Sequence, residues 1–307
     1  MSPMMRGAIY GLAAAAIWGG MYVVSDQVLT IVPPFALLTM RLLLGLLVMG
    51  GVLWARRERL RWPNRRETVS LILVGLLGFG ISVGAQFVGT DRSNAVNGAL
   101  VTSASPAFIL IFAAVILHEK LTWQRIIAVA LATLGVVIII DPSKADFSSA
   151  TFVGNLALAL AALTWGLFSV FLKIVSTKLD TMLVTAYGFV GGLLLTIPAA
   201  FFEAGGRPIG EITFSTLLGI LYLGVVSTAG AMWFWNQAFK LVDASIASLF
   251  FFAQPLVGAV LGVALLGQEI TSALLTGGLL IGGGVLLSIY PVEKLLTLRQ
   301  KTSAQAD

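Results

Sequence analysis

Two stretches of the sequence that lie 149 positions apart share the same order of residue types. NAVNGALVTSASP at 94–106 and DASIASLFFFAQP at 243–255 both begin with Asn or Asp, continue through small, hydroxyl-bearing and apolar residues, and end on a proline. An apolar run follows each proline and ends on Glu119 or Glu269. The match indicates two related halves, and both segments are apolar enough to belong to helices in a membrane.

Other matches keep nearly the same offset. Trp18 corresponds to Trp165, Gly135 to Gly284, and Arg41 falls opposite Tyr187, at offsets of 146 to 149 positions. Because the matches are collinear, they predict a first repeat at 1–146, a second repeat at 147–292 and a short cytoplasmic tail at 293–307.

The composition excludes a soluble globular protein and a disordered one. Of 307 residues, 58% are hydrophobic and only 11% are charged, whereas soluble domains average about 25% charged residues. There is no cysteine and a single histidine, His118, so neither a disulfide framework nor a thiolate or histidine metal centre is expected. A polytopic membrane protein remains.

Ten runs are long and apolar enough to cross a bilayer as helices. Five runs fall in each half, and an odd number of spans inverts the second half relative to the first. The sequence therefore predicts an all-α integral membrane protein of ten transmembrane helices in two inverted five-helix repeats. The runs are 7–25, 34–54, 68–88, 94–117, 123–140, 152–173, 180–201, 213–235, 243–266 and 271–290.

The basic residues predict the orientation. Of the nineteen lysines and arginines, fifteen fall on the side of the N-terminus, three on the opposite side and one, Arg41, inside a span. Positively charged loops stay in the cytoplasm, so both termini are expected there. The basic run at 56–66 is accordingly interpreted as a topology determinant near anionic lipid headgroups. The lipid bilayer, and not nucleic acid, is its expected partner.

Several of these residues also carry a family resemblance. Ala16-Ile17-Trp18-Gly19, Thr39-Met40-Arg41-Leu42 and the two stretches 94–119 and 243–269 resemble the drug/metabolite transporter superfamily, in its ten-span branch with two EamA-type repeats. The resemblance implies a carrier of the bacterial inner membrane that exports amino acids or other small metabolites. The sequence is most similar to the aromatic and general amino-acid exporters of that branch.

A substrate cavity near the middle of the membrane is expected to be lined by polar and aromatic residues. Hydroxyl and amide groups would bind a polar substrate, and tryptophans would stack on it or attract an ammonium group. Close helix packing and lipid contact are the competing interpretations. The candidate lining residues are Trp18, Tyr22, Arg41, Gln86, Thr102, Ser105, Trp165, Ser169, Tyr187, Phe252 and Gln254.

Charged and helix-breaking residues suggest further roles. A charge inside a membrane span is expensive and is a functional candidate by default, so Arg41 is expected to pair with Asp26 or with a substrate carboxylate. Pro106 and Pro255 lie near the middle of their predicted spans, where each would either fix a static bend or act as a hinge, and their matching placement favours the hinge. Glu119 and Glu269 end those spans on opposite faces, where ion pairs would close each gate.

The sequence bears on energetics as well. It contains no Walker loop and no Asp or Glu deep in a predicted span, so neither ATP nor a titrating carboxylate at the midplane is expected to drive transport. No cofactor and no enzymatic activity are predicted. The alternatives are a broad-specificity drug, cation or other metabolite exporter, a channel, and a membrane-embedded enzyme. The oligomeric state stays open, and a monomer is compatible with the sequence.

Overall fold

The computed structural model describes residues 1–57, 60–93, 101–140, 143, 145–266 and 271–289, and the backbone in these ranges forms helices and connections without a strand. The side chains at 22, 23, 26, 259, 262–266 and 289 lie outside the description. The helices are α1 Pro3–Leu29, α2 Pro34–Arg56, α3 Arg65–Asp91, α4 Ser105–Ile116, α5 Trp123–Ile140, α6 Phe152–Ser176, α7 Thr181–Ala204, α8 Phe214–Leu241, α9 Ala253–Leu266 and α10 Ser272–Ile289.

Six of these helices have the length and hydropathy of membrane spans. They are α2, α3, α5, α6, α7 and α8, each with at least 18 residues and a mean hydropathy between 1.7 and 2.1 over the best 18-residue window. Shorter apolar helices occur at Ser105–Ile116, Ala244–Gly258 and Ser272–Ser288. An all-helical bundle of this apolarity is a multi-pass integral membrane protein.

The two matching prolines, Pro106 and Pro255, are not in the middle of regular helices, where the sequence analysis places them. Pro106 occupies the first turn of α4, after a turn at Ser103 and Ala104. Pro255 is the third residue of α9, after the short helix Ala244–Ala247 and a 3-10 segment Ser248–Phe252. Proline lacks an N–H and is accommodated where a helix begins. Both prolines therefore start a new α-helix after an irregular turn.

The structure reveals a pair of π-helical segments that the sequence analysis missed. Leu76–Ser82 interrupts α3 and Tyr222–Gly230 interrupts α8. They begin 146 positions apart, close to the offset that relates the two halves of the sequence. A π segment reorients the side chains of its helix and frequently occurs at a functional site.

Glycines allow the closest contacts between helices. A Cβ atom on Gly75 of α3 would lie 2.1 Å from the carbonyl oxygen of Gly188 in α7. One on Gly135 of α5 would lie 2.6 Å from the carbonyl oxygen of Gly277 in α10. Small residues of this kind drive helix association in a membrane, where apolar contact with lipid costs nothing. The α5–α10 pair sits beside the helices that enclose the central cavity.

Candidate functional site: a central cavity

A cavity of about 400 Å³ lies between α1, α2, α3, α4, α6, α8 and α9. Its size is in the range of small-molecule sites. The described residues that line it are Trp18, Met21, Ser25, Leu29, Leu38, Arg41, Leu42, Phe79, Ser82, Val83, Gln86, Phe87, Thr90, Thr102, Ser105, Ala161, Trp165, Ser227, Thr228, Met232, Phe251 and Gln254.

The structure brings most of the predicted lining residues together. Seven of the eleven candidates line the cavity, namely Trp18, Arg41, Gln86, Thr102, Ser105, Trp165 and Gln254. Ser169 is buried, and its hydroxyl donates to the carbonyl of Trp165 at 2.8 Å. Tyr187 packs against the hydrophobic core. The side chain of Tyr22 lies outside the described residues.

Phe252 occupies a neighbouring space. It lines a second cavity of about 250 Å³, which shares Thr102, Phe251 and Gln254 with the central one. Phe251, one position earlier, is the phenylalanine that faces the central cavity. The 3-10 geometry of Ser248–Phe252 changes which side each residue presents, so α-helical periodicity selected the wrong neighbour.

Arg41 is the cationic group of the cavity and is 94% buried, with a relative exposure of 6%. Its Nε donates to the hydroxyl oxygen of Thr228 at 3.1 Å, and one terminal nitrogen lies 3.1 Å from the sulfur of Met21. The guanidinium carbon also lies 5.9 Å from the ring centre of Phe87. These contacts hold a desolvated positive charge at the cavity wall, where an anionic group is attracted strongly. The predicted partner Asp26 lies outside the described side chains.

Three aromatic residues, Trp18, Trp165 and Phe251, form a wall that we call the aromatic trio. Their ring centres lie 6.1 to 6.3 Å apart, and Trp18 and Trp165 meet edge to face. The indole of Trp18 donates to the carbonyl of Ser227 at 3.0 Å, which fixes the ring. Trp235 packs behind Trp18 at 5.3 Å and does not belong to the described lining. The three rings are inclined to one another by 46° to 78°, and together they present an apolar surface suited to an aromatic or aliphatic group.

Four polar groups in the lining are buried and have no hydrogen-bond partner among the described residues. They are the hydroxyls of Ser25 and Ser227, the indole nitrogen of Trp165 and the amide nitrogen of Gln254. Buried polar groups are nearly always satisfied, and an unsatisfied one costs about 1–3 kcal/mol. Because these four groups lie in one cavity, a polar ligand or water is expected to satisfy their hydrogen bonds.

The sequence analysis missed the contribution of α8. Ser227 and Thr228 lie in its π-helical segment, and Phe79 and Ser82 occupy the corresponding segment of α3. All four line the cavity. The adjacent Ser and Thr within an apolar span were a usable signal, but the π-helical segment that holds them, and in which Thr228 accepts from Arg41, had no signature in the sequence.

The cavity extends toward one end of the bundle. Its lining includes Leu29 and Thr90, in the last turns of α1 and α3. At this end Arg207 pairs with Asp91 at 3.0 Å and donates to the carbonyl of Leu29 at 2.8 Å. The carboxylate of Glu203 accepts from the backbone N–H groups of Phe35 and Ala36 at 2.8 and 3.2 Å, which caps α2.

The opposite end of the bundle is closed by a second carboxylate cap. Glu119 accepts from the backbone N–H groups of Ala244 and Ser245 at 2.7 and 3.2 Å and from the Ser245 hydroxyl at 2.6 Å. Arg125 lies 3.5 Å from Glu119 and also pairs with Asp243. A negative charge at a helix N-terminus is favourable, so Glu119 ties the end of α4 to the turn before α9. Glu269, its counterpart in the sequence, lies outside the described residues.

Comparison with known proteins identifies the class. The sequence profile of the EamA-like transporter family matches residues 5–141 and 152–290. The chain belongs to the EamA-like transporter family. It is therefore a membrane transporter of the drug/metabolite transporter superfamily, as its resemblance in sequence predicts.

Individual relatives agree with this assignment. The uncharacterized transporter YoaV of Bacillus subtilis is 24% identical over 303 residues, covering 96% of this chain and 99% of that protein. An uncharacterized transporter of Archaeoglobus fulgidus is 26% identical over 276 residues, covering 89% and 93%. A protein crystal structure superposes with a TM-score of 0.81 at 21% identity, covering 92% and 96% of the two chains. That structure supports the fold alone.

Proposed function

We propose that this protein is a secondary transporter of the bacterial inner membrane that exports amino acids, including aromatic ones, and related small metabolites. The observation that carries the proposal is the cavity itself, whose lining combines a buried guanidinium with an aromatic wall. An amino acid offers a carboxylate to Arg41 and a side chain to the aromatic trio.

The proposed architecture is ten spans in two inverted repeats, 1–146 and 147–292, with both termini and the tail 293–307 in the cytoplasm. The two separate matches to the family profile, at 5–141 and 152–290, support a duplication. The π segments of α3 and α8 support it too, because they begin 146 positions apart. The distribution of lysines and arginines supports the orientation.

The proposed mechanism is alternating access. In this orientation, the cavity reaches the outer end of the bundle, and the aromatic trio and the Glu119 cap close the cytoplasmic end. The turns before Pro106 and Pro255 are places where α4 and α9 can bend. Opening the cytoplasmic end requires Glu119 to release Ala244 and Ser245, while Glu269 would act at the other gate.

A second candidate is a broad-specificity exporter of drugs or organic cations. The aromatic trio favours it, because indole faces attract a desolvated cation. Arg41 opposes it, because a buried positive charge repels a cation in the same cavity.

Two experiments test the proposal. In the cysteine-free chain, single cysteines at Pro33 and Ser143 should react with an impermeant maleimide in intact cells, whereas Gln300→Cys should not. Labelling at position 300 would reverse the proposed orientation. In liposomes, the purified protein should exchange labelled phenylalanine or leucine for the unlabelled amino acid with saturable kinetics. Uptake of cationic dyes without amino-acid exchange would favour the second candidate.

A further inference from the structure

We infer that the central cavity recognises the hydrogen-bond acceptors of its substrate. It therefore binds carboxylates that carry an apolar side group, and it does not require the α-amino group. The 2-hydroxy acid that corresponds to a transported amino acid should bind as tightly as the amino acid itself. This inference rests on the proposed function, since it concerns the substrate class of the same cavity.

The first step of the argument is the chemistry of the lining groups. Guanidinium, indole N–H and amide NH₂ are donors without acceptor capacity. The lining holds two indoles and two amides, and the Trp18 indole already donates to the carbonyl of Ser227. The donors of Arg41, Trp165 and Gln254 line the cavity together. They come from α2, α6 and α9, so they surround the space instead of lying along one helix.

The second step is that the donors of Trp165 and Gln254 are buried and open to a ligand. The indole nitrogen of Trp165 and the amide nitrogen of Gln254 lack a partner among the described residues, and Gln254 is only 2% exposed. The hydroxyls of Ser25 and Ser227, both buried, add two more groups that can donate. A carboxylate has about four lone-pair sites and can satisfy several of these donors together, whereas an ammonium group only adds donors.

The third step concerns the charge. One terminal nitrogen of Arg41 is 3.1 Å from the sulfur of Met21, and a thioether is a weak acceptor. A carboxylate oxygen makes a shorter and stronger bond to a guanidinium. A carboxylate that reaches this nitrogen therefore makes a stronger contact with it than the sulfur does.

The aromatic residues of the cavity would contact the remainder of the ligand, which is its apolar side group. The aromatic trio, together with Phe79 and Phe87, provides apolar surface next to the donors. An aromatic or branched aliphatic group buried there gains the hydrophobic contribution of its area. The α-amino group lies between these two regions and is not needed for either.

The test uses ligands that differ by one group. Binding of L-phenylalanine, 3-phenyllactate and 2-phenylethylamine to the purified full-length protein is measured by calorimetry, and leucine, 2-hydroxyisocaproate and isoamylamine form a second series. We expect the hydroxy acid to bind within about threefold of the amino acid and the amine to bind at least tenfold more weakly. An amine that equals the amino acid, or a hydroxy acid tenfold weaker than it, overturns the inference.

Other outcomes separate the inference from the proposed function. Binding of hydroxy acids without binding of amino acids would support acceptor recognition and refute amino-acid export. Binding of the amines alone would refute both and favour the cation exporter. If no carboxylate of either series binds to folded protein, acceptor recognition is overturned as well.

Matched variants locate the donors. Trp165→Phe removes one indole N–H and keeps an aromatic ring, and Gln254→Met removes the amide and keeps the chain length. Each should weaken hydroxy-acid binding about tenfold or more, as expected for a lost hydrogen bond to a charged group. Trp235→Phe is the control, because the Trp235 nitrogen is also buried without a partner in the described part of the chain, whereas Trp235 does not belong to the described lining.

A second matched pair uses serines. Ser227→Ala removes a hydroxyl from the cavity wall, whereas Ser176→Ala removes a buried, unpartnered hydroxyl from elsewhere in the bundle. Only the first should weaken binding. Equal losses in the cavity variants and their controls, with unchanged melting temperatures, would contradict the assignment of these groups to the ligand.

Discussion

Trp165 lines the cavity, contacts Trp18 and Phe251 in the aromatic trio, and has an indole nitrogen that is buried without a partner among the described residues. A buried indole N–H usually finds a hydrogen-bond partner. Trp235 has a similarly unpartnered nitrogen in the described part of the chain, but it does not belong to the described lining. Gln254 repeats the pattern from α9, so both residues are better explained by a ligand than by packing alone.

We expect Trp165→Ala and Gln254→Ala to lower amino-acid transport at least fivefold while the amount of protein in the membrane stays unchanged. The reason is that each substitution removes a group that contacts substrate, at the wall of an existing cavity. Transport assays and immunoblots of the same membranes check this. Trp123→Ala, at a 78% exposed tryptophan, is the control. A parallel fall in abundance and activity would assign both residues to packing.

Glu119 is the residue that we expect to control opening at the cytoplasmic end. The chain reverses at His118, whose φ of 56° is the left-handed conformation that ends many helices. The N–H of Glu119 then donates back to the carbonyl of Ala113 at 3.1 Å. This turn directs the carboxylate of Glu119 to the backbone N–H groups of Ala244 and Ser245.

We predict that Glu119→Ala exposes the cytoplasmic end of the cavity. Loss of a charged helix cap costs about 1–2 kcal/mol, enough to shift the equilibrium toward the inward-open state about tenfold. The measurement is maleimide labelling of Ser248→Cys, a position that is fully buried at 0% exposure, in inside-out vesicles. Glu203→Ala removes the similar cap on α2 at the other end and should leave this labelling unchanged. Equal labelling of Ser248→Cys with and without Glu119 would contradict the prediction that Glu119 keeps the cytoplasmic end closed.

The helices were largely predictable, and the deviations from them were not. Apolar length placed α2, α5 and α6 within a few residues of their observed bounds, because a membrane helix satisfies its backbone locally. The π segments Leu76–Ser82 and Tyr222–Gly230 have no such signature, since they depend on the packing of α3 and α8. The cavity lining includes candidates on regular helices such as Trp18, Gln86 and Trp165. Apolar lining residues such as Met21 and Leu38, and the lining residues of the two π segments, were not among the candidates.

The contact between α3 and α7 gives a stability prediction. A Cβ on Gly75 would lie 2.1 Å from a backbone oxygen of Gly188, and backbone cannot move aside as a flexible side chain can. Gly75→Ala should therefore separate the helices and lower the amount of folded protein several-fold. Gly50→Ala is the matched control, because a Cβ there meets nothing within 4 Å. Fluorescence-detected size exclusion measures both, and equal recovery would mean that the α3–α7 contact tolerates the added methyl group.

The two ends of the bundle differ in a way that suits a carrier. One end is reached by the cavity, and the Glu119–Arg125–Asp243 cluster lies at the other. Both ends hold a carboxylate that caps a helix, Glu203 on α2 and Glu119 on the turn before α9. The contacts at both ends are polar and local. In the proposed alternating access, opening one end and closing the other would therefore require few bonds to break.

The last prediction concerns the energy source. A carboxylate kept near the middle of a membrane is expensive, and carriers that keep one use it to bind a proton or a metal ion. The sequence has no Asp or Glu deep in a predicted span, and the charge that the described cavity presents is the cation Arg41. We therefore expect a facilitator or exchanger that runs down the substrate gradient, with net outward flux because the cytoplasm holds the higher amino-acid concentration.

The measurement is counterflow in liposomes that contain unlabelled substrate and carry no ion gradient. Labelled substrate should accumulate transiently, and to the same extent when the internal and external pH are both set to 6 or both to 8. Dissipating any residual gradient with ionophores should change neither the rate nor the peak. Accumulation that requires an imposed pH or sodium gradient would refute the facilitator mechanism. In that case the coupling site should be sought at Arg41 and Asp26. Asp26→Asn should then abolish the ion dependence, and the guanidinium of Arg41 would hold the Asp26 carboxylate close to it.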